Sequence, residues 1–146
     1  MTQLVELTVE ECLALLQTKS VGRIGVVTPG GPMILPVNFA MSDDTIVFRT
    51  LPYGVIANNV HQADVAFEVD TVDEGSHEGW SVLATGRCHR LEDPDEVRLI
   101  REDLDPLPWA EGHRNLYFRI EWTILSGRQL GMATRPSLIP ASRSGS

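Results

Sequence analysis

An adjacent arginine and threonine, Arg49 and Thr50, are the residues whose chemistry is easiest to interpret. A guanidinium offers paired N–H donors to a phosphate dianion, and a threonine hydroxyl adds one more donor. The segment that follows, Tyr53-Gly54-Val55-Ile56, could begin a helix and direct backbone N–H groups at the same anion. Arg49 could equally be a solvated strand residue. The pair therefore indicates either a phosphate-binding corner or an ordinary sheet surface.

The histidines and cysteines form no recognisable metal or nucleophile pattern. Cys88 and His89 are adjacent, so their side chains diverge along a strand, and the four histidines lack metal-ligand spacing. His113 is a candidate for the axial ligand of a haem. Cys12 falls on the apolar face of a helix, which is typical of a core thiol. No Ser-His-Asp or Cys-His order stands out, so the sequence nominates no catalytic acid or base.

Short helices and strands must position these residues. Thr8-Val9-Glu10-Glu11 is a capping box and predicts a helix over 8–17. Shorter helices are predicted around 55–61 and after Asp93-Pro94-Asp95-Glu96. Six strand-like runs are separated by turn residues: Val21 to Thr28, Met33 to Met41, Thr45 to Thr50, Asp64 to Asp70, Gly79 to Leu91 and Asn115 to Ile124.

The last of these runs shows the clearest period of two, which is typical of a half-buried strand. Its apolar residues are predicted to share one buried face: Leu116, Phe118, Ile120, Trp122 and Ile124. Six strands with two or three short helices predict a mainly β fold, a closed or partly open antiparallel barrel, because closure removes exposed edges. Residues 1–130 would form this domain, and the Pro-, Ser- and Arg-rich residues 131–146 a flexible tail.

The charge of the chain excludes some classes of partner. With 146 residues, a formal net charge of -8 and a pI near 4.9, the protein has the size of one domain and lacks the basic balance of a nucleic-acid binder. No signal peptide is recognisable, and no apolar run approaches the ~20 residues needed to span a membrane. Two cysteines without a CxxC pair form no disulfide framework. The sequence thus predicts a cytoplasmic protein with neither a nucleic-acid nor a membrane partner.

An ordered series of short motifs resembles the pyridoxamine 5'-phosphate oxidase-like family of FMN-binding split barrels. The resemblance runs from about residue 7 to residue 130 and rests on Val21-Gly22-Arg23-Ile24-Gly25, Pro36-Val37-Asn38-Phe39, Val47-Phe48-Arg49-Thr50, Phe67-Glu68-Val69-Asp70, Gly79-Trp80-Ser81-Val82 and Gly127-Arg128-Gln129. It implies a six-stranded antiparallel split β-barrel that forms a homodimer, with FMN in clefts at the dimer interface.

The same resemblance implies a set of cofactor-binding positions. Arg49 and Thr50 would contact the FMN phosphate, and Val55 lies in the phosphate loop where many relatives carry a lysine. The missing charge could cost FMN affinity tenfold or more, because charge-assisted contacts contribute ~1.5–3 kcal/mol; Arg23, Arg87 or Arg128 could compensate. The other positions would meet the flavin ring or its phosphate: Pro36, Val37, Asn38, Trp80, Ser81 and Arg128.

The function that the resemblance implies is an FMN-dependent oxidoreductase acting on a small molecule. Pyridoxamine phosphate oxidation itself is not expected, because the full basic set for the substrate phosphate is missing. Three alternatives stay open: a reductase that uses the deazaflavin F420 on the same fold, a non-catalytic binding or sensor module that holds flavin, haem or nothing, and a stress-related interaction protein with a degenerate pocket.

Overall fold

The computed structural model describes residues 4–104 and 115–131, which form seven strands and three helices. The strands are β1 (Leu4–Leu7), β2 (Val21–Thr28), β3 (Gly31–Ser42), β4 (Thr45–Thr50), β5 (Ala63–Asp73), β6 (Glu78–Arg90) and β7 (Leu116–Leu130). The helices are α1 (Val9–Leu16), α2 (Val55–Asn59) and α3 (Pro94–Leu104). His113 and the predicted tail from residue 132 onward lie outside the described residues.

The strands close into an antiparallel barrel. Their order is β1-β7-β4-β3-β2-β5-β6, and β6 also pairs with β7, which completes the ring. The predicted mainly β barrel is therefore confirmed, with seven strands instead of six. The strand that the sequence did not predict is β1, which pairs with the end of β7 from Leu4 opposite Leu130 to Leu7 opposite Gly127.

Local sequence signals determine several elements. The Thr8 hydroxyl accepts a hydrogen bond from the Glu11 backbone N–H (3.1 Å), and Glu11 Oε1 accepts one from the Thr8 N–H (2.9 Å), so the capping box is confirmed. Both β2 and β4 have the predicted bounds. The turn between β3 and β4 places Asp43 and Asp44 at positive φ (49° and 62°), as a type I′ hairpin requires.

The interior of the barrel is packed with phenylalanine. Phe39 meets Phe67 edge to face with ring centroids 5.0 Å apart, and Phe48 stacks on Phe118 at 5.6 Å. A second, smaller apolar cluster lies outside the barrel where α3 covers β4; its buried members are Val47, Leu91, Ile100, Leu104 and Tyr117. Helix α3 thus seals the outer face of β4 near its end.

A β-bulge changes the alternation of β7. Ile124 lies opposite Thr85 and Trp122 opposite Gly86, so Thr123 is the additional residue. Phe118 and Ile120 are buried as predicted, but Ile124 is 64% exposed and Leu125 is buried in its place. The prediction of one continuous buried face was wrong at Ile124 because the bulge shifts the register. Within the described ranges, no helix is long and apolar enough to cross a membrane.

Candidate functional site

The residues predicted to bind a cofactor lie in two groups on the barrel wall. In the first, Asn38 of β3 lies directly opposite Arg49 of β4 and, on its other side, opposite Val21 of β2. In the second, Ser81 of β6 lies opposite Arg128 of β7. Directly opposite residues of antiparallel strands project from the same face. Asn38 and Arg49 therefore form one corner, which we call the Arg49 corner, and Ser81 and Arg128 form another.

Arg49 is hydrogen-bonded on two sides. Its Nη1 donates to the backbone carbonyl of Leu104 at the end of α3 (2.8 Å). With the Asn38 amide oriented so that its oxygen faces the guanidinium, Oδ1 accepts from Nε (3.3 Å) and Nη2 (2.9 Å) of Arg49. A cation at the C-terminal end of a helix also complements the helix dipole. Arg49 therefore links β3, β4 and α3, in addition to any ligand it binds.

The three predicted residues of β3 do not all face the same side. Val37 is buried in the barrel core, opposite Gly22. Pro36 is exposed on the outer wall, opposite Arg23, and Asn38 is half-buried on that same wall. A ligand on the outer wall would therefore meet the side chains of Pro36 and Asn38 but only the backbone of Val37.

The loop after Thr50 is strained and apolar. Tyr53 has φ +65°, which is unusual for a bulky residue, and its side chain is 93% exposed. Asn58 Nδ2 donates to the Tyr53 carbonyl (3.3 Å). Leu51 and Val55 are exposed beside it. This loop therefore presents apolar side chains, and no charge, next to the Arg49 corner.

In the second group, Trp80 and Ser81 face opposite sides of β6. Trp80 is only 9% exposed and packs into the barrel core. Ser81 is half-buried on the outer wall, between Asp70 of β5 and Arg128 of β7. The side chain of Arg128 is exposed opposite Glu6 of β1 and has no hydrogen bond or ion pair with a described residue. Ser81 and Arg128 are thus accessible to a ligand, and the ring of Trp80 is not.

Three charged residues lie between the two groups: Arg23, which the sequence suggested only as a replacement for the missing loop charge, and Glu68 and Asp70, which it did not nominate. Arg23 Nη2 is 2.6 Å from Asp70 Oδ2, and Arg23 Nε is 3.4 Å from Glu68 Oε1. Burial raises the pKa of Glu68 to about 7, and its hydrogen bond with Asp70 acts in the same direction, whereas Arg23 opposes it. That hydrogen bond lowers the pKa of Asp70. We call Glu68 and Asp70 the acid pair.

The sequence contained part of the signal for the acid pair. Glu68 and Asp70 are two residues apart, so both project from the outer face of β5, opposite to Val65, Phe67 and Val69. Arg23 could be placed opposite them only with the β2–β5 register, which puts Arg23 opposite Glu68. Arg23 is paired with these carboxylates, and Arg87 Nη1 lies 3.7 Å from Asp64 Oδ1. Arg128 has no ion pair with a described residue, but it lies with Ser81 in the second group, apart from the loop that carries Val55.

An open groove of about 560 Å³ lies on the outer wall next to the acid pair. Gly25, Ala66 and Thr85 lie opposite one another across β2, β5 and β6 and form its floor. Ile34, opposite Gly25, forms one wall. The lining residues are Gly25, Val26, Val27, Pro32, Met33, Ile34, Asp64, Val65, Ala66, Thr85, Gly86 and Thr123.

The donors on the outer wall suit a phosphorylated ligand better than a metal. On this wall the guanidinium groups of Arg49 and Arg128 and the hydroxyl of Ser81 are groups that bind phosphate. The side chain of Thr50, which lies opposite Leu116, projects from the other face of β4, so the sequence-based expectation that its hydroxyl joins Arg49 at one site does not fit the structure. Among the described residues, no group of three or more His, Cys, Asp or Glu side chains is placed to hold a metal ion. The side chains present therefore fit the phosphate of a flavin nucleotide.

Comparison with known proteins agrees with this architecture. The family model described as pyridoxamine 5'-phosphate oxidase matches residues 8–129. An uncharacterised protein of Mycobacterium tuberculosis, Rv0080, is 31% identical over 130 residues, which cover 86% of this chain and 84% of that protein.

Two solved structures also share the fold over most of their length. The FAD-binding protein of Mycobacterium smegmatis superposes with a TM-score of 0.76 at 26% identity, covering 88% of this chain and 99% of that one. A conserved protein of unknown function from Corynebacterium diphtheriae has a TM-score of 0.72 at 32% identity, covering 86% of this chain and 97% of that one.

Proposed function

This chain belongs to the pyridoxamine 5'-phosphate oxidase family, and on that premise we propose that it is a flavin-dependent oxidoreductase that acts on a small molecule through bound FMN. The observation that carries the proposal is the family match, because residues 8–129 include the Arg49 corner and the Ser81–Arg128 pair. The Mycobacterium smegmatis relative binds FAD, which supports a flavin as the cofactor.

In this proposal the chain supplies binding and orientation. Arg49 binds the phosphate, with Ser81 and Arg128 as further donors, and Pro36 and Asn38 face the ring. Thr50 contributes through its backbone only, because its side chain projects from the opposite face of β4. A bound flavin supplies hydride transfer, so the protein need not provide a nucleophile. Since Val55 adds no charge in the loop, phosphate binding depends on the arginines.

We further propose a homodimer with the cofactor at its interface. Exposed apolar side chains surround the Arg49 corner: Val21, Leu51, Tyr53 and Val55. Helix α2, which follows this loop, packs against β2, so these residues belong to one region of the surface. A second copy that covered them would remove apolar area from water and enclose the corner. Sedimentation of the purified protein with and without FMN tests this: a monomer under both conditions would contradict it.

Cofactor titration tests the central claim. We expect the protein to quench FMN fluorescence on binding and to hold FMN more tightly than FAD, F420 or haem. Tighter binding of FAD or F420 would replace FMN as the proposed cofactor but leave the proposed oxidoreductase class unchanged. A Soret band with no flavin affinity would favour the haem-binding module, and affinity for none of them would refute the proposal.

Replacing Arg49 tests the phosphate assignment. We expect Arg49→Ala to weaken FMN binding at least ~tenfold, because a charge-assisted contact contributes ~1.5–3 kcal/mol. Since Arg49 also links β3 to α3, its melting temperature is measured in parallel, and Arg49→Lys, which keeps the charge without the paired donors, should fall between wild type and Arg49→Ala. Arg98→Ala, on the exposed face of α3, is the control. Unchanged affinity in folded Arg49→Ala would show that the phosphate lies elsewhere.

A further inference from the structure

We propose that the groove over Gly25, Ala66 and Thr85 binds an uncharged, largely apolar small molecule, and that the ionisation of Glu68 at its edge controls that binding. The bound molecule would be the substrate of the proposed oxidoreductase. Only its oxidation or reduction rests on that proposed function. Binding itself can be measured without any flavin.

The shape of the groove suits a flat apolar ligand. Its three floor residues have small side chains, so a ligand could approach the sheet backbone closely. A Cβ built on Gly25 would lie 3.5 Å from the Ala66 Cβ, which is an ordinary contact. The described side chains therefore leave the space above Gly25 open. The exposed side chains of Val27 and Ile34 rise beside it. A volume of about 560 Å³ lies within the range of small-molecule sites.

The acid pair borders this floor. Glu68 follows Ala66 by two residues on the same face of β5, and Arg23 precedes Gly25 by two on the same face of β2, a separation of about 7 Å along each strand. The Glu68 Oε1 atom is buried and makes no hydrogen bond in the described part of the chain, although Arg23 Nε is 3.4 Å away. Glu68 does not line the groove itself but lies one outward-facing position beyond Ala66, so a ligand seated on the floor would lie next to this carboxyl group.

The charges near Glu68 favour a neutral ligand. Arg23 faces it from β2 and Asp70 from β5, while β6 presents the uncharged Leu83 directly opposite. Asp64 lines the far end of the groove, near Arg87. Arg87 balances Asp64 at one end, while Arg23 balances only one of the two carboxylates at the other when Glu68 is ionised, so neither end offers an anion an unpaired positive charge. When Glu68 is protonated, this side of the groove carries one negative charge fewer. The free energy needed to cover it with an apolar ligand is then lower.

The pH dependence of binding is the first test. The pKa of Glu68 near 7 means that its protonated fraction falls steeply between pH 6 and pH 8. The probe is N-phenyl-1-naphthylamine, which is neutral in this range and fluoresces in apolar sites, added to flavin-free full-length protein. We expect its Kd to rise at least ~threefold from pH 6 to pH 8, with ~tenfold as the limit if only the protonated form binds. Glu68→Gln should bind the probe equally well at both pH values.

A pair of variants on one strand locates the site. Ala66→Leu places a larger side chain on the groove floor and should weaken probe binding at least ~tenfold. Val72→Leu, on the exposed outer face of β5 but outside the groove, should leave it unchanged. Sedimentation at the same protein concentration establishes whether a second copy covers the groove.

The probe-binding experiments either support or overturn the assignment of the groove as a ligand site. Binding that Ala66→Leu abolishes, with a pH dependence that Glu68→Gln removes, supports the inference whether or not the protein binds flavin. Probe binding that is insensitive to Ala66→Leu, pH-independent in the wild type, or seen only when a dimer dissociates would overturn it. In the last case the groove belongs to the contact between two copies of this chain.

Discussion

Replacing Gly22 with alanine would test the packing of the barrel interior. A Cβ at this position would lie 2.3 Å from Cζ and 2.7 Å from Cε2 of Phe67, whereas ordinary contacts begin near 3.4 Å. The ring cannot move away freely, because Phe39 meets it edge to face with centroids 5.0 Å apart. Gly22 does not have a positive φ, so the penalty is steric and not conformational.

We expect Gly22→Ala to lower the free energy of unfolding by about 2 kcal/mol, in the middle of the ~1–3 kcal/mol that overpacking costs. For a domain of this size that corresponds to a Tm lower by roughly 6–10 °C. Urea unfolding followed by tryptophan fluorescence and differential scanning calorimetry would measure the two quantities.

Gly25→Ala is the matched control, on the same strand but facing outward. Its Cβ would make an ordinary 3.5 Å contact with Ala66, so we expect a change within ~0.5 kcal/mol. Phe67→Leu should cost less in the Gly22→Ala background than alone, with a coupling of ~1 kcal/mol, because the smaller side chain removes the clash. Equal stability of the two glycine variants, or additivity with Phe67→Leu, would refute this account of the core.

Two further predictions concern α1 and the cysteines. Thr8→Ala removes the hydroxyl that accepts from the Glu11 N–H and should cost ~1 kcal/mol in urea unfolding; a loss below ~0.3 kcal/mol would show that the capping box contributes little. Burial raises the pKa of Cys12 to about 11 and that of Cys88 to about 12, so both remain thiols at pH 8 and should react with Ellman's reagent only after unfolding. Rapid labelling of the folded protein would contradict their burial.

The fold was predictable wherever the signal is local. The capping box determined the start of α1, and the alternation in β2 and β4 determined their bounds. The differences involve non-local pairing: the missed β1, the shifted face of β7, and the extension of β7 to Leu130 beyond its predicted end at Ile124. Four residues of β1 are too few to show a period, and they form a strand because the end of β7 lies beside them. The bulge at Thr123 likewise depends on how β6 and β7 align.

For the candidate site, the sequence predicted individual residues but not the contacts that depend on strand register. The sequence indicates Asn38 and Arg49 separately, and the structure brings them into hydrogen-bond contact; it also places Ser81 directly opposite Arg128 on the neighbouring strand. The acid pair was not nominated, because Arg23 and Glu68 are far apart in sequence and meet only through the β2–β5 register. A raised carboxyl pKa arises from tertiary burial, and no local pattern of residues encodes it.

The pairing of β1 with β7 also brings the first and last strands of the barrel together. Leu4 lies directly opposite Leu130, so the first and last strands leave the barrel side by side. A short linker could therefore join them, and new termini could be opened at the exposed β5–β6 turn around Gly75. The same proximity means that a protein joined directly to Leu4 or directly to Leu130 would lie beside the same end of the barrel.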